Sequence, residues 1–428
     1  MDKVLQARED RARYIEQLID LFPNKTILTL KLNIPGLHKN LSPFHLVLLK
    51  MHQNILNRFS LSIIKTKKIK SIAGDTYVYV LDAKAFFVKQ EAIKLEEERA
   101  WYRLTDLDVY DGSKWLSRRD FDLPPRKCLL CEREAAICAR EKNHSLSALL
   151  TQMKKIVISD FTSSLLSDVN RAIISELELY PKAGLVSFVD SGCHKDMDNQ
   201  TFLLSKDAIG PYIKQFILEG FKKQLNAERL VSIGKQAEKA MFEATKGINT
   251  HKGLIFLLGL FLPSFVHALV TNNTKTTLQA TIKQLAEEII GDYFVKLGDS
   301  KMISHGDLIY LRHGITGIRG EALLGLPTLF HFPFRDITPI RDRHHQYLIE
   351  FMSELDDTTI AYKAGIEALY KVQTDMKEIL NCGGYAFHKE KFQMLSDEYK
   401  KKNISPGGSA DMLVIKLIFE ANQYYVID

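Results

Sequence analysis

The 428-residue sequence is poor in cysteine and tryptophan, with five of the first and two of the second. Five is odd, and Cys128, Cys131 and Cys138 crowd into one short stretch, which excludes a disulfide framework of the kind that staples small secreted domains. Reduced thiols or a metal site remain. The first ten residues hold no apolar stretch long enough for a signal-peptide core, so the expected compartment is the cytoplasm. No Lys/Arg block interleaved with aromatics occurs, and nucleic acid is therefore not expected as a partner. Repeats and low-complexity tracts are also missing, which excludes a solenoid. The longest apolar run, Gly253 to Val270, approaches the roughly 20 residues needed to cross a bilayer. Gly259, Pro263 and His267 interrupt it and the polar pair His251-Lys252 flanks it, so it is read as a buried core helix and no membrane partner is expected.

What is present describes a folded chain of ordinary composition. Hydrophobic residues make up 46% and charged residues 26%, the balance of a globular protein. At roughly 100–200 residues per domain, the length calls for two or three domains. The net charge of +6 is uneven: residues 1–155 hold 28 Lys and Arg against 19 Asp and Glu, and the remainder 30 against 33. A basic first third implies an acidic partner or a polyphosphate.

Periodicity changes along the chain. Thr26 to Ile34, Thr76 to Leu81 and Leu104 to Tyr110 read as strands, while Pro43 to Phe59 and Gln90 to Arg99 carry helical spacing. From Ser145 onward the pattern is one of long amphipathic helices, at Leu146–Val157, Ser159–Leu177, Ile209–Leu225, Leu278–Leu297 and Asp342–Ile379. These readings predict an α/β domain over 1–155 and a predominantly all-α domain over 156–428, joined by the charged connector Met153-Lys154-Lys155 without a Pro/Gly-rich linker.

In the first half, Asp106-Leu107-Asp108 falls on a predicted strand. Alternate strand residues share a face, so both carboxylates can reach one Mg²⁺, as phosphoryl-handling enzymes require. The plainer alternative is a pair of solvated side chains at a strand edge. Arg103 before the pair and Arg118-Arg119 after it supply guanidinium groups suited to phosphate oxygens. Cys128, Cys131, Cys138 and His144 have the spacing Cys-x2-Cys-x6-Cys-x5-His, three thiolates and an imidazole that suit a structural Zn²⁺. The alternative is small side chains packing a helix at the end of the domain. The run Arg103-Leu-Thr-Asp-Leu-Asp-Val109, with Leu116-Ser-Arg-Arg-Asp120, Leu123-Pro-Pro-Arg-Lys-Cys-Leu-Leu-Cys131, Leu32-Asn-Ile-Pro-Gly36 and the Arg8/Arg11 segment, resembles the apo-citrate lyase phosphoribosyl-dephospho-CoA transferase family over nearly all of residues 1–150. That resemblance implies a nucleotidyltransferase-like mixed sheet and transfer of phosphoribosyl-dephospho-CoA to a serine of the citrate lyase acyl carrier protein, with release of pyrophosphate. Arg99-Ala-Trp-Tyr102 departs from the Pro and Gly expected before the Asp pair.

In the second half three Gly-containing polar segments interrupt the helices: Phe188 to Asp198, Lys246 to Gly253 and Ser405 to Asp411. Such loops let backbone N–H groups approach phosphates at a helix start. Asn249, His251, Gly407, Gly408 and Ser409 are candidate nucleotide contacts, Asp196, Asp198 and Asp411 candidate Mg²⁺ ligands, and Lys252 and Arg319 candidate neutralisers of triphosphate charge. With Pro181 to Val186, His313 to Glu321 and Asp356-Asp357-Thr358, the segments resemble the triphosphoribosyl-dephospho-CoA synthase family over residues 160–428, with Tyr362-Lys363-Ala364 departing from an expected His-Arg-Gly. The resemblance implies that ATP and 3′-dephospho-CoA are joined with loss of adenine. Such chemistry needs a base for the attacking hydroxyl. His194 is the first candidate, Glu321 and Asp190 are alternatives, and a helix cap or metal ligand is an equal reading of His194. A half that has lost activity and serves as a docking module, or a synthase half serving a malonate decarboxylase carrier, are the competing readings.

Overall fold

Residues 2–36, 39, 41–271, 274–297 and 304–426 are described by the structure, a computed structural model. The chain forms two compact units, residues 1–161 and 162–428. The division falls inside one continuous helix, Leu146–Leu177, so Met153-Lys154-Lys155 is helical and not a connector between two shorter helices.

The first unit is built on a five-stranded sheet in the order β2-β3-β1-β4-β5, with β1 at Thr26–Leu32, β2 at Ile63–Ile69, β3 at Thr76–Leu81, β4 at Thr105–Tyr110 and β5 at Trp115–Leu116. Every hydrogen-bonded pair is antiparallel, which corrects the expectation of a mixed sheet. Helix Ala85–Glu97 does link two strands that run the same way, β3 and β4, but β1 lies between them, so no parallel pair forms. All six residues of β3 are buried, as in a strand covered on both faces. Leu18 of helix Asp2–Leu21 packs with Ile27, Val78 and Val80 on one face. Helices His45–Arg58 and Ala85–Glu97 contact β1 and β4. Periodicity missed the two-residue β5 and also β2, whose Lys65, Lys67 and Lys68 hide any apolar alternation, as suits a charged edge strand. Beyond β1, the Leu107 backbone of β4 is satisfied by side chains: its N–H donates to Glu96 Oε1 at 2.9 Å, and Lys89 Nζ donates to its carbonyl at 2.7 Å.

All regular elements among the described residues of the second unit are helices. At its centre Lys252–Val270 packs against helices Asn199–Gly220, Ala227–Ala244, Lys275–Ile290 and Gly407–Ala421. It is the one described helix long and apolar enough to cross a membrane, and it is mostly buried inside its unit. Phe261 stacks on Phe265 at a 5.5 Å centroid separation, and both meet the edge of Phe419. The helix expected over Asp342–Ile379 is three helices, Ile340–Glu354, Thr358–Ala364 and Ile366–Asn381. Asp357 starts the second by accepting a hydrogen bond from Thr359 N at 3.0 Å, and Gly365 turns the chain into the third at φ +91°.

Because Phe261 is fully buried in that aromatic cluster, Phe261→Ala is expected to destabilise the second unit by about 3–5 kcal/mol. Urea unfolding followed by circular dichroism measures the loss, and a variant as stable as the parent contradicts a core role for this helix.

Candidate active sites

In the first unit β4 turns Asp106 and Asp108 to one face and buries Leu107 on the other. The register sets Lys31 of β1 opposite Asp106 and Thr29 opposite Asp108. Lys31 Nζ stands 3.2 Å from Asp106 Oδ2 and 2.6 Å from Asp108 Oδ2, so one ammonium sits between two carboxylates. Burial alone would lower its pKa, but the two carboxylates outweigh burial and raise it. Arg11 Nη1 donates to Thr76 Oγ1 at 3.1 Å, and Thr76 is the β3 partner of Lys31. Burial and the neighbouring Arg8 lower the Arg11 pKa, while Asp108 opposes them. Arg126 Nη1 donates to Thr105 O at 3.2 Å and pairs with buried Glu96. The basic groups beside the Asp pair are thus Lys31, Arg11 and Arg126. Arg103 donates instead to Lys127 O at 2.6 Å, Arg118 pairs with Glu97 at 2.8 Å, and Arg119 is exposed. Cys128, Cys131, Cys138 and His144 converge, with one ligand atom from each lying within 4.8 Å of all the others.

In the second unit the three polar segments meet at one cavity of about 210 Å³. Its wall includes Asn249, Thr250, His251 and Gly253 at the start of helix Lys252–Val270, and Ser405, Gly407, Gly408 and Asp411 at the start of Gly407–Ala421. Helix starts present unpaired N–H groups and the positive end of the helix dipole, which attract phosphate. The Asp411 carboxylate occupies the space beside Gly253, so a Cβ there would push that carboxylate from its place.

Three carboxylates join these helix starts. Glu176 Oε1 lies 2.6 Å from Lys182 Nζ, and burial pushes Glu176 up and Lys182 down. Asp357 accepts from Ser409 N and Thr359 N, each at 3.0 Å, so Ser409 acts through Asp357. Asp411 is ion-paired with no described residue; burial, then the charges of Glu176 and Asp357, push its carboxyl well above the usual carboxylate range. Solvent reaches Asp411 through the cavity, although most directions around it are filled by protein. His194 also lines the cavity, with Nε2 at 3.0 Å from Ser405 Oγ and Lys363 Nζ at 3.2 Å from the same nitrogen. Burial and the Lys363 charge lower its pKa to about 4, so its imidazole is neutral near pH 7. His251 is fully enclosed, with Nδ1 at 2.6 Å from Ser205 Oγ.

Other sequence candidates stand outside the cavity wall. Asp190 pairs with Lys400 at 2.9 Å and accepts from Gly192 N, which shapes its loop. Asp198 caps helix Asn199–Gly220 through Thr201 N at 2.9 Å, and Asp196 is exposed. Glu321 binds Thr328 Oγ1 at 2.5 Å. Arg319 pairs with Asp307 at 3.1 Å over the Tyr293 ring, and Lys252 Nζ lies 3.5 Å from Glu238. Glu176 had carried no expectation of a role; its signal is a carboxylate on the buried side of an amphipathic helix, a place charge occupies only when paired.

A carboxylate pair bridged by lysine in an α/β unit, and helix starts ringing a carboxylate-lined cavity in a helical one, suit a two-part transferase of phosphorylated nucleotides. Comparison with known proteins agrees in both halves. Residues 1–160 match the family model described as apo-citrate lyase phosphoribosyl-dephospho-CoA transferase, and residues 164–425 the one described as ATP:dephospho-CoA triphosphoribosyl transferase. The chain is 30% identical to Protein CitXG of Haemophilus influenzae over 98% of its own length and 95% of that protein. It is 32% identical to Protein CitXG of Leuconostoc mesenteroides subsp. cremoris over 97% and 95%. A probable 2-(5′′-triphosphoribosyl)-3′-dephosphocoenzyme-A synthase of Vibrio cholerae is 34% identical over 60% of this chain and 87% of that protein. The chain belongs to the CitXG family, in which the two transferases are fused, and it is a bifunctional enzyme that makes and attaches the citrate lyase prosthetic group.

Burial, with the charges of Lys182 and Lys206, lowers the His251 pKa from 6.5 to about 3. The unfolded chain takes up the proton near pH 6.5, so the stability gained by keeping His251 neutral is present above that pH and is lost as pH falls toward 3. His251→Gln is expected to show a shallower loss of unfolding free energy between pH 7 and 5 than the parent. Urea titrations at several pH values measure it, and parallel profiles contradict a neutral buried imidazole.

Proposed function

We propose that residues 156–428 build the precursor in the cavity at the helix starts and that residues 1–155 transfer it at the Asp106–Asp108 pair. The observation that carries the proposal is the meeting of two long-helix starts with Glu176, Asp357 and Asp411 on one cavity wall. ATP is the substrate that demands both features, because its triphosphate seeks helix starts while its metal seeks carboxylates. The mutual repulsion around Asp411 fits a divalent cation, and so does the place of Lys31, which holds a positive charge where Asp106 and Asp108 converge. Mg²⁺ held by Asp411 with its neighbours, or by Asp106 and Asp108, would neutralise phosphate oxygens and orient them for displacement.

In synthesis, the ribose 2′-hydroxyl of 3′-dephospho-CoA forms a bond to the anomeric carbon of ATP as the bond to adenine breaks. The hydroxyl proton leaves and a proton reaches the departing base. His194 takes the hydroxyl proton: of the three candidate bases it alone lines the cavity, and its imidazole is neutral. Buried carboxylates face the positive charge that develops on the sugar. In transfer, a serine hydroxyl of the citrate lyase acyl carrier protein forms a bond to the α-phosphorus, and pyrophosphate leaves. Lys31, Arg11 and Arg126 neutralise the charge of the leaving group. The first unit is read as nucleotidyltransferase-like from its strand-borne carboxylate pair, and its basic excess suits an acidic carrier. The reading places both reactions in the cytoplasm. The sulfur and nitrogen donors of Cys128, Cys131, Cys138 and His144 suit Zn²⁺ and not the magnesium of phosphate chemistry.

With ATP, 3′-dephospho-CoA and apo carrier protein, the single chain is expected to release adenine and add the prosthetic group to the carrier. Asp106→Asn should lower carrier modification about 100-fold or more while adenine release continues, and Asp411→Asn should lower adenine release by a similar factor. Chromatography of adenine and mass spectrometry of the carrier separate the two. Full rates in both variants overturn the assignment of these carboxylates.

A further inference from the structure

The four sulfur and nitrogen donors of the first unit are held by a short hairpin and the helix that follows it. Residues 126–135 form a short hairpin, with Cys128 N donating to Arg133 O and Ala135 N to Arg126 O, both at 2.7 Å. Leu130 N points at Cys128 Sγ at 3.5 Å, so a backbone donor faces the sulfur, an arrangement that favours its anionic form. Cys138 follows on helix Ala135–Arg140, where it is buried, and His144 lies just beyond that helix. Cys131 Sγ is 3.9 Å from Cys138 Sγ and 3.3 Å from His144 Nε2.

Those separations discriminate between chemistries. A disulfide requires about 2.05 Å between sulfurs, and all five cysteines are free. Zinc bonds of about 2.3 Å to sulfur and about 2.0–2.1 Å to nitrogen set tetrahedral ligand atoms roughly 3.5–3.8 Å apart, close to the two separations just given, and all four donor atoms lie within 4.8 Å of one another. Hydrophobic packing explains neither the single imidazole nor the convergence of all four donors. No other group of three or more metal-competent side chains converges as tightly among the described residues.

The hairpin is also pinned to the transfer site. Its first residue, Arg126, donates to Thr105 O and pairs with Glu96, the carboxylate that accepts from Leu107 N between Asp106 and Asp108. Arg103, just before β4, donates to Lys127 O on the same hairpin. We propose that Cys128, Cys131, Cys138 and His144 bind one Zn²⁺ and that this ion fixes the 126–135 hairpin so that Arg126 is held beside Thr105 and Asp106. The positioning half rests on the assignment of Asp106 and Asp108 to the transfer reaction; the zinc site itself does not. The four ligands are here positioning residues that act through Arg126, and magnesium plays no part in the cluster.

The test uses the full chain. Elemental analysis of protein purified without added metal is expected to give one zinc per chain. Replacement by Co²⁺ should give the visible bands of a tetrahedral site with a thiolate-to-cobalt charge-transfer band. Cys128→Ser and Cys131→Ser should lose the zinc and these bands, whereas Cys382→Ser, at an exposed position, keeps both. Stripping the zinc with a chelator, then removing the chelator and assaying in saturating Mg²⁺, should lower carrier modification about 10- to 100-fold and leave adenine release unchanged, and added Zn²⁺ should restore carrier modification. A folded parent chain that contains no zinc and gives no cobalt spectrum overturns the site. Full carrier modification by a zinc-free chain overturns the positioning role. A zinc-loaded parent that releases adenine yet never modifies the carrier supports the metal site and instead counts against the transfer assignment, so the two failures are distinct.

Discussion

Carboxylates placed close together, away from bulk water, are stable only if a positive charge stands among them or some of them keep their protons. Each unit meets this condition in its own way. In the first, Lys31 stands between Asp106 and Asp108 on a sheet face covered by helix Asp2–Leu21. In the second, Lys182 answers Glu176, backbone N–H groups answer Asp357, and Asp411 is left to the start of a helix and to whatever enters the cavity. The folds around the two sites serve this charge arrangement. A strand supplies alternation, and helix starts supply aligned dipoles.

The two candidate sites differ in depth. The Asp106 and Asp108 carboxylates are half-buried on a sheet face, which suits the proposed access of a carrier-protein serine. Small nucleotides can enter an enclosed cavity, and there Asp357 and His251 are buried to 3% and 4% exposure. Under the proposed synthesis, enclosure would also keep water from the cationic sugar.

Much of the first site could be read in one dimension. Asp106 and Asp108 share a face because a strand alternates, and the strand was evident in its β-branched and apolar residues. Their neighbours were not evident: Arg103, Arg118 and Arg119 are close in sequence, yet Arg11, Lys31 and Arg126 are the cations the sheet brings near. In the second unit, Gly-containing segments between helices announced the cavity, and Asn249, His251, Gly407, Gly408 and Asp411 do line it. Asp196 and Asp198 belong to the same kind of segment, but one is exposed and the other caps a helix, because a loop's composition does not say which way each side chain turns.

The sequence alone determined the two families, the α/β-then-helical order, the strand pair of carboxylates and the cluster of soft donors, because each rests on local spacing or on motifs kept in order. Only the tertiary structure decided that the sheet is antiparallel, that Leu146–Leu177 runs unbroken, and that Glu176, Asp357 and Asp411 share one cavity. Those outcomes depend on which surfaces exclude water against each other across 50 to more than 200 residues of chain. A periodicity that repeats every two or four residues carries no information about such pairings.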